Sequence, residues 1–224
     1  MIRIPFAAWT AVFSERSDGD LRVTSRSAAE PLATVQNRVL EALAVPAIAV
    51  ARQVHGTVVV AVDRTPCGYN VGVGEGDGVA TARVGIGAAV HVADCLPIAL
   101  GGNGGVAMLH GGWRGLAAGI IPEGVRALRS LGVTGEFEAA IGPGAGGCCY
   151  ETGDEVREHF AGAAASHGRL LDLKAVAAKQ LLEAGAITVR DVGLCTICAP
   201  GGRFFSHRRD GATTGRQGGF AWLR

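Results

Sequence analysis

Lysine is nearly absent from this chain: Lys174 and Lys179 are the only two among 21 basic residues, the other nineteen being arginine. Any site that grips an anion must therefore be built largely from guanidinium groups, which offer planar, bidentate donors rather than a point charge. Net charge is also lacking, at +1, and charged residues make up only 18% of the chain. That balance gives no electrostatic footprint for a nucleic-acid groove or an anionic membrane, and leaves room for a small anion held by clustered Arg. No stretch approaches the roughly 20 apolar residues of a membrane helix. The opening run MIRIPFAAWTAVF carries Pro5 and no small-residue cleavage site, so it reads as a strand rather than a leader. With no secretory signal, six cysteines point to reduced thiols or metal ligands in a cytoplasmic protein, not to a disulfide framework.

What is abundant is apolar surface, 48% of 224 residues, enough to bury a full core. One domain spanning residues 1–224 is expected, without internal repeat or linker. Ser27 and Glu30 have capping-box spacing, and Leu32, Val35, Val39 and Leu43 recur at helical intervals until Pro46. From Ala47 to His110 short β-branched runs alternate with Gly, Asn and Asp turns: Ile48 to Val50, Val58 to Val62, Ala88 to Val92, Pro97 to Leu100 and Val106 to Leu109. The run from Gly101 to Gly105 predicts a hairpin that brings Cys95 and His110 to one end of a sheet. Helices are expected near Leu116 to Ser130, Asp154 to Ala165 and Leu173 to Ala184, the last capped by Asp172. Strands are expected at Phe137 to Ile141 and Ile187 to Val192. This order fits an α+β fold better than a strict βαβ series.

His55, Cys95 and His110 each stand at an expected strand end beside turn residues. Together they offer a two-nitrogen, one-sulfur set that leaves a fourth tetrahedral position open, which suits catalytic zinc; copper is the alternative ion. Cys95 as nucleophile with His110 as base would serve amide hydrolysis instead, but that reading leaves His55 unexplained. Asp77 and Asp94 are candidates to orient a ligating imidazole or to carry a proton, against a plain turn role. Arg114, next to Trp113, and the pair Arg208 and Arg209 are the candidate phosphate grips. Cys148 with Cys149, and Cys195 with Cys198, are set aside: the CxxC opens no helix, and no second CxxC completes a zinc site. His91, His159 and His167 are given no catalytic duty.

The motifs QVHG (53–56), GDGVAT (76–81), ADCLP (93–97), HGGWRG (110–115), IGP (141–143), CYE (149–151) and FFSHRRD (204–210) resemble, in order, those of the YfiH-like family. Its members have been called laccase-domain or multicopper polyphenol oxidoreductases, and later purine nucleoside phosphorylases with adenosine deaminase activity; a peptidoglycan-editing role has also been attached to them. The resemblance implies a layered α/β/β/α fold with mixed sheets, similar to a cysteine-hydrolase-like fold, and zinc held by His55, Cys95 and His110. It further implies purine nucleoside (adenosine, inosine or methylthioadenosine) and phosphate as substrates, with a monomer or small homo-oligomer expected. His207 stands where the family commonly has Tyr. A multicopper oxidase needs on the order of ten His for its copper centres, and this chain has six. The laccase activity is therefore disfavoured.

Overall fold

The apolar runs of this chain are continuous rather than alternating because most of its long strands are buried on both faces. The computed structural model describes residues 1–22, 30–64, 67–161 and 166–224. In chain order come β1 (Ile2–Pro5), β2 (Trp9–Phe13), α1 (Leu32–Leu43), β3 (Ala47–Arg52), β4 (Val59–Ala61), β5 (Gly68–Glu75), β6 (Gly78–Thr81), β7 (Ile86–Val92), β8 (Leu96–Gly102) and β9 (Gly105–Gly111). There follow α2 (Trp113–Ala118), α3 (Ile120–Ser130), β10 (Phe137–Ile141), α4 (Asp154–Glu158), β11 (Ser166–His167), β12 (Leu170–Leu171), α5 (Leu173–Glu183), β13 (Ala186–Asp191), α6 (His207–Asp210) and β14 (Gln217–Leu223).

Two six-stranded mixed sheets result, ordered β1-β2-β14-β7-β3-β5 and β13-β10-β8-β9-β6-β4, with β11 and β12 as a separate pair. Strand parity assigns the layers. On β3, Ile48 and Val50 pack with Val35, Val39 and Leu43 of α1, while Ala49 and Ala51 face the other sheet. On β8 and β9, Leu96, Ile98, Leu100, Ala107 and Leu109 pack with the α3 and α5 side, whereas Ala99, Val106 and Met108 meet the first sheet. The result is the expected α/β/β/α sandwich, an α+β fold. Small residues between the sheets let them close tightly. At Gly101 an added Cβ would lie 2.4 Å from the Trp9 ring, so only glycine fits there.

The β8–β9 hairpin forms as predicted, turning at Asn103 and Gly104, whose φ is 96°. Elsewhere local structure departs from expectation. The N-terminal run is a hairpin of two antiparallel strands rather than one, because the chain turns between Pro5 and Trp9. The helix expected over 116–130 is two, broken at Gly119 (φ 94°). The helix expected over 154–165 ends at Glu158, and residues 162–165 lie outside the described residues. α1 begins at Leu32 with Pro31 at its N-cap; Ser27, expected to cap it, lies outside the described residues. Asp172 does cap α5, accepting from the backbone N–H of Lys174 and Ala175. β14 was not expected, since Gln217, Gly218 and Gly219 carry little strand propensity; pairing with both β2 and β7 overrides it.

Candidate active site

The hairpin places Pro97 opposite His110 and Leu96 opposite Gly111, so Cys95 and His110 meet at one sheet end. His55 reaches them from the loop after β3 in a left-handed conformation, φ 62°. The donor atoms of His55, Cys95 and His110 all lie within 4.8 Å of one another. Gly112 closes this cluster. A Cβ there would sit 3.2 Å from Cys95 Sγ, 3.6 Å from His55 Cδ2 and 4.0 Å from His110 Cε1, so the missing side chain keeps the space beside all three donors clear.

Asp77 organises the centre. It is fully buried, and its carboxylate accepts from His110 Nδ1 at 2.8 Å and from the backbone N–H groups of Val54, His55 and Gly56 at 3.1, 2.9 and 2.7 Å. Burial opposes its charge, but these bonds win and hold its pKa below the ordinary carboxylate value. Because Nδ1 of His110 is engaged, Nε2 is the ring nitrogen left for a ligand. Both Asp94 oxygens are also engaged, Oδ1 by Thr196 Oγ1 at 2.6 Å and Oδ2 by the backbone N–H of Arg208 at 2.7 Å.

In the metal-free chain Cys95 and His110 behave as a pair. Burial pushes the thiol up and the imidazole down, yet mutual attraction, aided by Asp77, brings Cys95 to about 6 and His110 to about 9. Thiolate beside imidazolium is the expected ground state near neutral pH. A divalent cation would replace the imidazolium proton as the counter-charge, and the nitrogen and sulfur donors fit zinc chemistry.

The cluster opens into a cavity of about 590 Å³ lined by His55, Cys95 and His110 together with Arg114, Arg208 and Arg216, and by Trp113 and Tyr150. That volume falls within the range of small-ligand sites. Arg114 stacks on Trp113 with Cζ 4.3 Å from the ring centre, and Arg208 lies 5.1 Å from the Tyr150 ring centre. Arg209 is not among the lining residues. Its guanidinium donates to the carbonyls of Thr196, Ile197 and Phe204 and to Asp210, which makes it a brace for α6.

The lining also includes Arg and His side chains that the sequence reading did not single out. Arg22 and Arg216 come from the far ends of the chain, and His91 projects from β7. Burial, with the nearby Arg216 charge, lowers His91 to about 4, and the neutral ring shares a 2.8 Å hydrogen bond with the Tyr69 hydroxyl. Only the single His91 on an apolar strand gave any signal. His207 also lines the cavity, while His159 packs against the Trp113 ring.

Fold and site define a class: a layered α+β protein with a His–Cys–His donor set in an Arg-lined cavity. Residues 14–224 match the family model described as multi-copper polyphenol oxidoreductase laccase, and the chain belongs to this laccase-like, YfiH family. A Xylella fastidiosa (strain 9a5c) protein named purine nucleoside phosphorylase is 37% identical over 205 residues, covering 84% of this chain and 77% of that protein. A Deinococcus radiodurans protein of the same name is 34% identical over 236 residues, covering 96% and 90%. Among solved structures, Bacillus licheniformis YfiH superposes with a TM-score of 0.84 at 26% identity, covering 96% and 93%. A Neisseria meningitidis protein of family DUF152 superposes with a TM-score of 0.82 at 27% identity, covering 99% and 98%. No helix among the described residues is long and apolar enough to cross a membrane.

Proposed function

We propose that this protein is a zinc-dependent purine nucleoside phosphorylase acting on adenosine, inosine and methylthioadenosine, with adenosine deamination as a side activity. The observation that carries the reading is the convergence, in one cavity, of the His55–Cys95–His110 set with Arg114 and Arg208; the names of the relatives agree with it. Zinc held by His55, Cys95 and His110 would supply a Lewis acid.

In phosphorolysis a phosphate oxygen bonds to the anomeric carbon as the carbon–nitrogen bond to the purine breaks. The bonding pair leaves on the purine, which gains a proton; ribose 1-phosphate remains. Arg114 and Arg208 hold the phosphate and neutralise its charge as it nears the sugar. Trp113 and Tyr150 offer apolar faces for the nucleoside. Asp77 and Asp94 act as positioning residues, Asp77 by fixing His110 and Asp94 by fixing the start of α6.

The test is product analysis of metal-quantified protein with adenosine, with and without phosphate, beside Cys95→Ala. Phosphate-dependent adenine and ribose 1-phosphate that vanish in the variant support the reading; absence of both refutes it. Inosine formed without phosphate would reveal the deaminase activity. The thiolate–imidazolium pair favours one second reading, a cysteine amide hydrolase with Cys95 as nucleophile. Turnover that survives chelation and dies on alkylation would select it.

A further inference from the structure

A second cluster lies outside the cavity. The sulfurs of Cys148, Cys149, Cys195 and Cys198 all fall within 4.8 Å of one another, with Cys148 Sγ 3.6 Å from Cys198 Sγ and 3.5 Å from Cys149 Sγ. A tetrahedral zinc with bonds of about 2.3 Å sets its sulfurs about 3.8 Å apart. All six cysteines are free thiols. The vicinal pair, set aside from sequence for want of a second CxxC, is the missing half of the site: the fold brings it to the CxxC turn.

The backbone builds this meeting. Thr196 N–H donates to the Gly144 carbonyl at 2.9 Å, bridging the two segments, and the Gly146 N–H donates to Cys195 Sγ at 3.3 Å. The carbonyl of Gly146 accepts from Cys149 and Tyr150, and that of Cys195 from Ala199, closing both turns. A Cβ on Gly146 would lie 3.2 Å from Cys195 Cβ and 3.3 Å from Cys148 Sγ, so glycine is what admits the sulfurs.

We propose that Cys148, Cys149, Cys195 and Cys198 bind one Zn²⁺ as a closed, four-thiolate structural site. Four protein ligands leave no open position, the mark of structural rather than catalytic zinc. An iron–sulfur cluster distributes its thiolates over several irons, a wider frame than these four sulfurs offer. The ion clamps two walls of the cavity together. Tyr150 directly follows Cys149, and Thr196, inside the CxxC turn, holds Asp94 and accepts from Arg209 through its carbonyl.

The test starts with the intact chain. Alkylation footprinting with and without added Zn²⁺ is expected to show these four thiols protected at least tenfold, while the exposed Cys67 stays reactive. The double variant Cys95→Ser/His110→Ala, which lacks the cavity site, is then titrated with Co²⁺ under reducing conditions. It is expected to bind one ion with an intense thiolate-to-cobalt charge-transfer band, which disappears when Zn²⁺ is added. Adding Cys195→Ser should remove that band. Equal alkylation of all thiols with and without Zn²⁺ would overturn the proposal, as would a disulfide within the cluster in freshly reduced protein or iron with sulfide in place of zinc.

Discussion

Replacing Asp77 by Asn keeps the shape of the side chain and removes its charge. Oδ1 accepts from His110 and His55, and Oδ2 accepts from Val54 and Gly56. An amide has only one oxygen, so either orientation leaves two of these donors facing an NH₂ group. Each lost bond to a buried charged group is worth about 1.5–3 kcal/mol, which puts the loss at roughly 3–6 kcal/mol if the site does not relax. Loss of the imidazole's orienting partner typically costs about 10–100-fold in metal affinity. Urea melts of the metal-free protein and competition with a chromophoric chelator measure the two effects separately. An Asp77→Asn variant with an unchanged urea midpoint and zinc affinity within about twofold of the parent would refute the view that Asp77 organises the centre.

Cys95 in the metal-free protein should alkylate with a midpoint near pH 6, and bound zinc should abolish the reaction; a midpoint above pH 8 would remove the thiolate from the model. The stability of the metal-free protein should stay flat across the neutral range. Cys95, lowered to about 6, contributes stability that grows towards the unfolded thiol value, whereas the contribution of His110, raised to about 9, is lost over nearly the same interval. The pair holds one proton both folded and unfolded, so urea midpoints that slope steeply between pH 7 and 8.5, as an order-of-magnitude window from the same linkage, would contradict this. Arg114→Ala and Arg208→Ala should each raise the KM for phosphate by about tenfold or more with zinc content unchanged. Arg209→Ala should leave that KM nearly unchanged and lower stability by about 1–3 kcal/mol, read by urea denaturation. Gly101→Ala should cost about 1–3 kcal/mol by overpacking against Trp9, and a neutral effect would mean the sheets can part there.

The sequence by itself determined the α+β class and the nearness of Cys95 to His110, while the α/β/β/α layering was implied only by the family resemblance. Two-sided burial writes itself as unbroken apolar runs, and the turn at Asn103 and Gly104 fixes a short-range hairpin, so the proximity of Cys95 to His110 was legible from local signals alone. Asp172 as a helix cap was legible for the same reason: its partners are two and three residues away. Only tertiary structure decided the rest. Asp77 reads as a turn residue between two glycines until β6 pairs with β9 and sets it beside His110. Arg209 reads like its neighbour Arg208 until its donors are seen on the carbonyls of the 196–197 turn. Arg22 and Arg216 join one cavity because β14 inserts between β2 and β7, and the four thiols converge because β10 pairs in parallel with β13. Parallel pairing has no local turn to announce it, so the contacts it creates leave no short-range mark on the chain.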